Sequence, residues 1–421
     1  MTVTNVGFNQ ILTDATINAG DTLNVLDGGT VVSTTVSGTL DVFSGGTAID
    51  TILNGHEEVF GTVINTGVHD GAIMDVNFGG TAVNTFVFSG GLEGVDIGGT
   101  TSGTVVLNGG QENVFGTASG TTVSNGADEF VGVGGTTIGT KVTNSGVQNV
   151  GGTASDTIVS NGGSEGVLSG GTTIGTILQG GREDVFSGGT TSGTVVSSGG
   201  FEEVASGGTV IGTIVSDGGE AVFGGTAIGT ILRGGFEDVF SGGTTSGTVV
   251  SSGGFEGVGS GGTAIGTVLN SGGFEEVFDG GTASATTING GTLEVVSGAS
   301  ISGPITFTNA GGILELDASQ SFHGTIAGFA SPSGVTEEID LRDISFGKKT
   351  KVSFKEAQGH LSGTLTVTDG THTANLTLLG QYLASDFSLA SDGHGGTIVT
   401  DPQHHPSLVG SAGSPIVAPP A

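Results

Sequence analysis

EDVFSGGTTSGTVVSSGGFE, at residues 183–202, recurs unchanged at residues 237–256. The offset of 54 residues is three repeats of 18. Working outward, GGT or a degenerate form such as FGT begins fifteen times between residues 28 and 280. The mean spacing is 18 residues, with single steps of 15 to 19. Self-similarity at a fixed period of this length is the signature of a stacked-repeat architecture.

Each repeat has two halves. One reads GGTxxGT followed by two aliphatic residues, as in GGTTIGTIL and GGTVIGTIV; the other reads GGFExV, as in GGFEDVF and GGFEEVF. Both place a few β-branched or aromatic residues between glycine pairs. That is the pattern of short strands joined by tight turns. The apolar spacing has no 3.6-residue period, and no half-repeat is long enough for a helix.

One 18-residue unit cannot bury its own apolar side, but stacked units can. Equivalent strands then pair in parallel about 4.8 Å apart, and each coil satisfies the backbone of the next. The fold class expected is all-β: a parallel β-solenoid of about fifteen coils of about 18 residues, followed by a small β-rich C-terminal domain. Val59, Val114, Val185, Val204, Val239, Val258 and Val277 are expected to form an inner ladder. Phe43, Phe60, Phe115, Phe186, Phe223, Phe240 and Phe278 are expected to stack nearby, inside or at a corner.

The repeat divides the chain into residues 1–27 as an N-terminal cap, 28–321 as the solenoid, 322–400 as the C-terminal domain and 401–421 as a disordered, Pro- and Ser-rich tail. The C-terminal domain is expected to cover the open strand edge at the end of the rod.

Composition narrows the function. Gly accounts for 87 of 421 residues and the net charge is −32, with 40 acids against 8 bases. Such a body repels phosphate backbones, so no nucleic-acid partner is expected. The chain has no cysteine, which removes disulfides and thiolate metal sites. No stretch approaches the roughly 20 apolar residues of a transmembrane helix. The N-terminus lacks the basic and apolar regions of a Sec signal peptide, so export by a type I channel is expected.

Glu two residues before Val is the most regular polar feature: Glu57, Glu93, Glu112, Glu165, Glu183, Glu202, Glu220, Glu237, Glu256 and Glu275. Stacking places these carboxylates about 5 Å apart. They form either a solvated acidic stripe or a ladder that divalent cations bridge through hard oxygen ligands. Glu183, Glu202, Glu237, Glu256 and Glu275 are the candidate metal ligands. Ca²⁺ is the one candidate cofactor, and no other is expected. Residues i and i+2 of a strand share a face, which would bury Glu beside Val. Unpaired buried carboxylates are costly, so a bend between Glu and Val is expected.

Thr190, Thr191, Ser192, Ser197 and Ser198 are candidate O-glycan acceptors or parts of a polar adhesive face. The alternative is that they satisfy turns and suit strand surfaces. GGSEG at 162–166 matches a nucleophile elbow formally, but Ser164 occupies the position of Phe255 in GGFEG, not a strand-to-helix turn. The eight histidines show no metal-binding spacing.

The unit GGTxxGT…GGxExVFSGG, over roughly residues 28–300, resembles the strand-loop-strand repeat of autotransporter passengers of the diffuse-adherence adhesin type. The long C-terminal membrane barrel of that family is not apparent in this sequence. The resemblance implies a β-helical passenger, an extracellular or cell-surface location, adhesion or autoaggregation, and in some members O-linked heptose on repeat Ser and Thr. The function expected is a structural or adhesive rod, not an enzyme, acting through many weak contacts with host or matrix glycans or with its own copies. The alternatives are a polysaccharide-acting enzyme on a β-helix and a spacer that presents residues 322–400.

Overall fold

A computed structural model describes residues 2–308, 310–330 and 335–400. The tail expected over 401–421 lies outside the described residues. The chain winds into a parallel β-solenoid with three faces. One turn runs Gly200–Val204, then Thr209–Ile211, then Ile214–Val215, before Gly218–Phe223 begins the next. Each strand pairs in parallel with its equivalents on the neighbouring turns, and the second face holds seventeen strands.

Alternation along each strand sets the core. In Gly200–Val204, Glu202 and Val204 point inward while Phe201 and Glu203 point out. On the second face only the middle residue points in, as Val210 does in Thr209–Ile211. On the third face Val215 points in, and Thr213 at the preceding corner is buried with it. The seven valines expected on the inner ladder are all fully buried. Burying each such side chain stabilises the stack by roughly 1.5–3 kcal/mol.

The glycine pairs have two separate tasks. Gly170 adopts φ +83°, a left-handed conformation that disfavours other residues. Gly171 lies so close to the preceding turn that a Cβ would stand 2.0 Å from the Val150 carbonyl oxygen. The turn needs one glycine for its dihedral and the other for its lack of a side chain.

The phenylalanines of the expected second ladder lie outside the core. Phe43, Phe115, Phe186 and Phe223 are 41–45 % exposed. They stand just past the inner valines, where the first face turns. Two pairs stack along the rod, Phe43 with Phe60 at 6.3 Å and Phe223 with Phe240 at 5.4 Å between ring centres.

Toward the C-terminus the first face continues through Gly312–Leu316 to Glu337–Leu341, still in parallel register. Thr397–Thr400 then adds to it antiparallel, followed by Ser388–Ser391. The third face continues through Thr325–Ala327 to Thr373–Leu379, where antiparallel Ser362–Thr368 and Lys351–Glu356 complete the sheet. One apolar cluster runs from Val142 through Phe329 and Phe387 to Val399, so this end shares the core of the rod. The antiparallel strands cover the ladder edge that a bare solenoid would leave open.

Candidate functional site

The glutamates expected on a solvated stripe are inside the rod. Glu57, Glu93, Glu112, Glu165, Glu183, Glu202, Glu220, Glu237, Glu256 and Glu275 are completely buried, and Glu129 joins them. The expected bend between Glu and Val does not occur: Glu202 and Val204 share the inner face of one straight strand. From Glu165 to Glu275, seven glutamates follow one another on successive turns. Gln148 takes the same position between Glu129 and Glu165. Leu23, Leu40, Leu293 and Leu314 take it near the ends.

Threonine hydroxyls offset this burial at Glu112 and from Glu165 to Glu275, whereas neither carboxylate oxygen of Glu57 meets a hydrogen-bond partner among the described residues. Glu202 accepts from Thr191 at 3.0 Å on one oxygen and from Thr213 at 2.9 Å on the other. Glu256 is held likewise by Thr245 and Thr267, and Glu183 by Thr173 and Thr194. The Gln148 amide donates to Glu129 at 2.6 Å while its oxygen accepts from Thr157. The polar layer divides the cross-section, so first-face valines such as Val185 and Val204 cluster apart from the third-face Leu178 and Val196.

The described core contains no lysine, arginine or histidine. Burial therefore pushes the Glu57 carboxyl up to about 8, with the charge of Glu93 adding to the effect. Burial likewise raises Glu93 and Glu165 to about 7. Glu183, Glu220, Glu237 and Glu275 are held well above the ordinary range by burial first and neighbouring carboxylates second. A carboxyl held neutral in this way is both donor and acceptor and can share its proton along the column. The five glutamates expected to bridge cations, Glu183, Glu202, Glu237, Glu256 and Glu275, present no oxygen to solvent.

The outward positions form ladders as well. On the second face, every turn from Thr30 to Thr282 places a threonine at the same register position, fifteen in all. None of the fifteen is buried, and the hydroxyls of Thr81 and Thr100 on neighbouring turns stand 3.3 Å apart. Of the expected glycan acceptors, Thr190, Ser192, Ser197 and Ser198 face outward. Thr191 does not: it is buried and spends its hydroxyl on Glu202.

On the outer side of the first face, His56 Nε2 lies 3.1 Å from Glu58 and 3.2 Å from Asp75 on the next turn. The ligand atoms of these three residues all lie within 4.8 Å of one another. Spacing along the chain hides this group, because it forms only when turns stack. Ser164 lies within the strand Ser164–Val167. At the C-terminal end, a cavity of about 600 Å³ is lined by Glu315, Asp340, Arg342, Asp392 and His394 among others. There burial, then Asp392, raises the Asp340 carboxyl to about 6.

Together these features define a repeat solenoid with a uniform interior and repeated outer ladders. Residues 149–200 match the family described as "adhesin of bacterial autotransporter system, probable stalk". Among solved structures, the chain is similar to the TibC-catalysed hyper-glycosylated TibA55-350 fragment. It shares 30% identity, and the alignment covers 71% of this chain and 97% of that one, with a TM-score of 0.41. The shared sequence carries the comparison and the superposition adds nothing to it. A Geobacillus virus E2 protein, ORF18, aligns at 10% identity over 90% of this chain and 69% of its own, with a TM-score of 0.11, and carries no argument. No curated protein matches significantly. The chain belongs to the autotransporter adhesin passenger family.

It is therefore an adhesin-type extracellular protein, displayed at the surface or secreted. The type I export expected from the sequence is corrected by the same findings, which point to the autotransporter, or type V, system.

Proposed function

We propose that this chain is an adhesive rod that works through many weak, identical contacts and performs no chemistry. The observation that carries this reading is the outward threonine ladder, which offers the same hydroxyl on fifteen successive turns. A ligand with its own repeat engages several turns at once, and effective concentration turns weak contacts into firm attachment. Host or matrix glycans, or further copies of the chain, supply such repeats. Thr190, Ser192, Ser197 and Ser198 are proposed O-glycan acceptors, consistent with the hyper-glycosylated state of the TibA fragment. Residues 322–400 serve in this reading to close the rod.

Replacing outward threonines by alanine in blocks of the full-length chain tests the proposal. Thr172, Thr190, Thr209 and Thr226 form one block, and neighbouring turns form others. Attachment to cells or glycan-coated surfaces should fall steeply with the number of turns altered, whichever block is chosen. Loss confined to a single block would mean one specific site and would sink the multivalent reading.

A further inference from the structure

The outer side of the first face already holds a cation. Arg182 projects from its strand, donates from Nε to Asp184 on its own turn at 2.7 Å and from Nη2 to Glu203 on the next at 2.6 Å. Its guanidinium carbon lies 5.4 Å from the centre of the Phe201 ring. Phe201 occupies the register position of Arg182 one turn on, as Glu203 does that of Asp184. The seat thus consists of an aromatic ring at the first outward position and carboxylates at the second. His56 uses the same two rows, bridging Glu58 and Asp75.

Past Arg182 the aromatic row continues with no base at its outward positions, and carboxylates alternate with Ala221 and Gly257 in the second row. The nearest bases are Arg233, before Phe236, and Arg342, which acts on Glu276. Phe236, Phe255 and Phe274 follow in register on successive turns. Phe201 and Phe236 approach to 6.4 Å across Gly219, where a side chain would strike the Phe236 ring. Phe255 and Phe274 stack at 5.8 Å. Glu203, Asp238 and Glu276 stand beside these rings, partly exposed. Aromatic faces attract cations, and arginine combines that attraction with planar hydrogen bonding to carboxylates. The net charge of −32 draws a basic partner in and repels a second copy of the chain at this surface.

We propose that the strip made by Phe236, Phe255 and Phe274 with Asp238 and Glu276, next to the seat that Arg182 already fills, binds an extended arginine-bearing polypeptide. Its guanidinium groups lie over successive rings as Arg182 lies over Phe201. This deepens the adhesive reading by naming a ligand class, and it rests on that reading only for its biological use.

Calorimetric titration of the full chain with hexa-arginine, hexa-lysine and a neutral oligosaccharide tests it. Charge alone would bind both peptides, so the decisive variant is Phe255→Leu with Phe274→Leu, which keeps every carboxylate. The proposal expects hexa-arginine to bind more tightly than hexa-lysine, and to lose about threefold affinity per ring replaced. Asp238→Asn with Glu276→Gln should weaken binding and flatten its salt dependence. Circular dichroism of each variant should match the parent, since all four side chains are outside the core. Equal hexa-arginine binding by parent and phenylalanine variant would overturn the proposal, as would equal binding of hexa-lysine and hexa-arginine by the parent. Attachment that survives in the phenylalanine variant while peptide binding fails bears on the ligand class alone. Only the threonine blocks test adhesion itself.

Discussion

Thr191 and Glu202, eleven residues apart in the chain, meet in the core of the rod, with the threonine hydroxyl donating to a carboxylate oxygen at 3.0 Å. A threonine–glutamate hydrogen bond recurs on each turn from Glu165 to Glu275, and the burial of these carboxyls sets the behaviour of the protein toward pH.

Burial raises Glu57, Glu93 and Glu165 to about 8, 7 and 7 in the folded rod, against about 4.5 for an ordinary glutamate. The folded state therefore binds protons that the unfolded chain has lost. Stability from these groups is fully present below about pH 4.5 and is lost as pH rises toward 7–8. The melting temperature should be highest in mild acid and fall steadily from about pH 5 to 8. Melts followed by circular dichroism across that range check this; a melting temperature that climbs with pH would contradict it.

External carboxylates repel one another more as pH rises, which gives a slope of the same sign. Glu202→Gln separates the two effects. Gln148 shows that the column accepts an amide, which donates to Glu129 and Thr137 and accepts from Thr157. The variant should match the parent near pH 4.5 and be more stable at pH 8, with a flatter pH profile. Identical profiles would assign the slope to the surface.

Thr191→Val removes one donor and leaves a Glu202 oxygen buried without it. The expected cost is about 1–3 kcal/mol, read from denaturant unfolding. Thr190→Val, one residue away but facing outward, should cost less than about 0.5 kcal/mol.

Gly171→Ala should destabilise the rod by about 1–3 kcal/mol or more, because the new methyl would strike the Val150 carbonyl. Equal stability in chemical unfolding would show that the turns are spaced more loosely than described. Val204→Asp, which buries a charge on the same inner face, should abolish the cooperative transition altogether.

Calcium should leave the melting temperature unchanged, since Glu183, Glu202, Glu237, Glu256 and Glu275 are sealed from solvent. A large calcium-dependent rise would show that the column opens to solvent and takes up the cation.

The repeat made the fold readable, because glycine pairs and β-branched residues at a period of 18 leave few alternatives to a stacked coil. The burial of Val204 followed from the same pattern. Glu202 was misplaced because a carboxylate beside Val204 is too costly to bury alone, and its partners Thr191 and Thr213 lie eleven residues away on either side. The last threonine of Thr-x-x-Gly-Thr supplies Thr213, while Thr191 fills a variable position of that motif, and only stacking shows that both hydroxyls point inward. The same pairing removes Thr191 from the glycan acceptors. Glu129 keeps the same two-residue spacing to Val131 and takes its place in the column, with Phe130 facing outward between them. Surface groups such as His56 with Asp75 need the register of two turns and were not visible in one.

The most direct test of the buried, proton-bearing column is the count of protons released when the folded rod is unfolded in unbuffered denaturant at pH 7. The column predicts release of several protons per chain, and fewer from a chain carrying Glu220→Gln and Glu237→Gln. No release at pH 7 would mean that the interior carboxylates are already ionised and that the column is not as described.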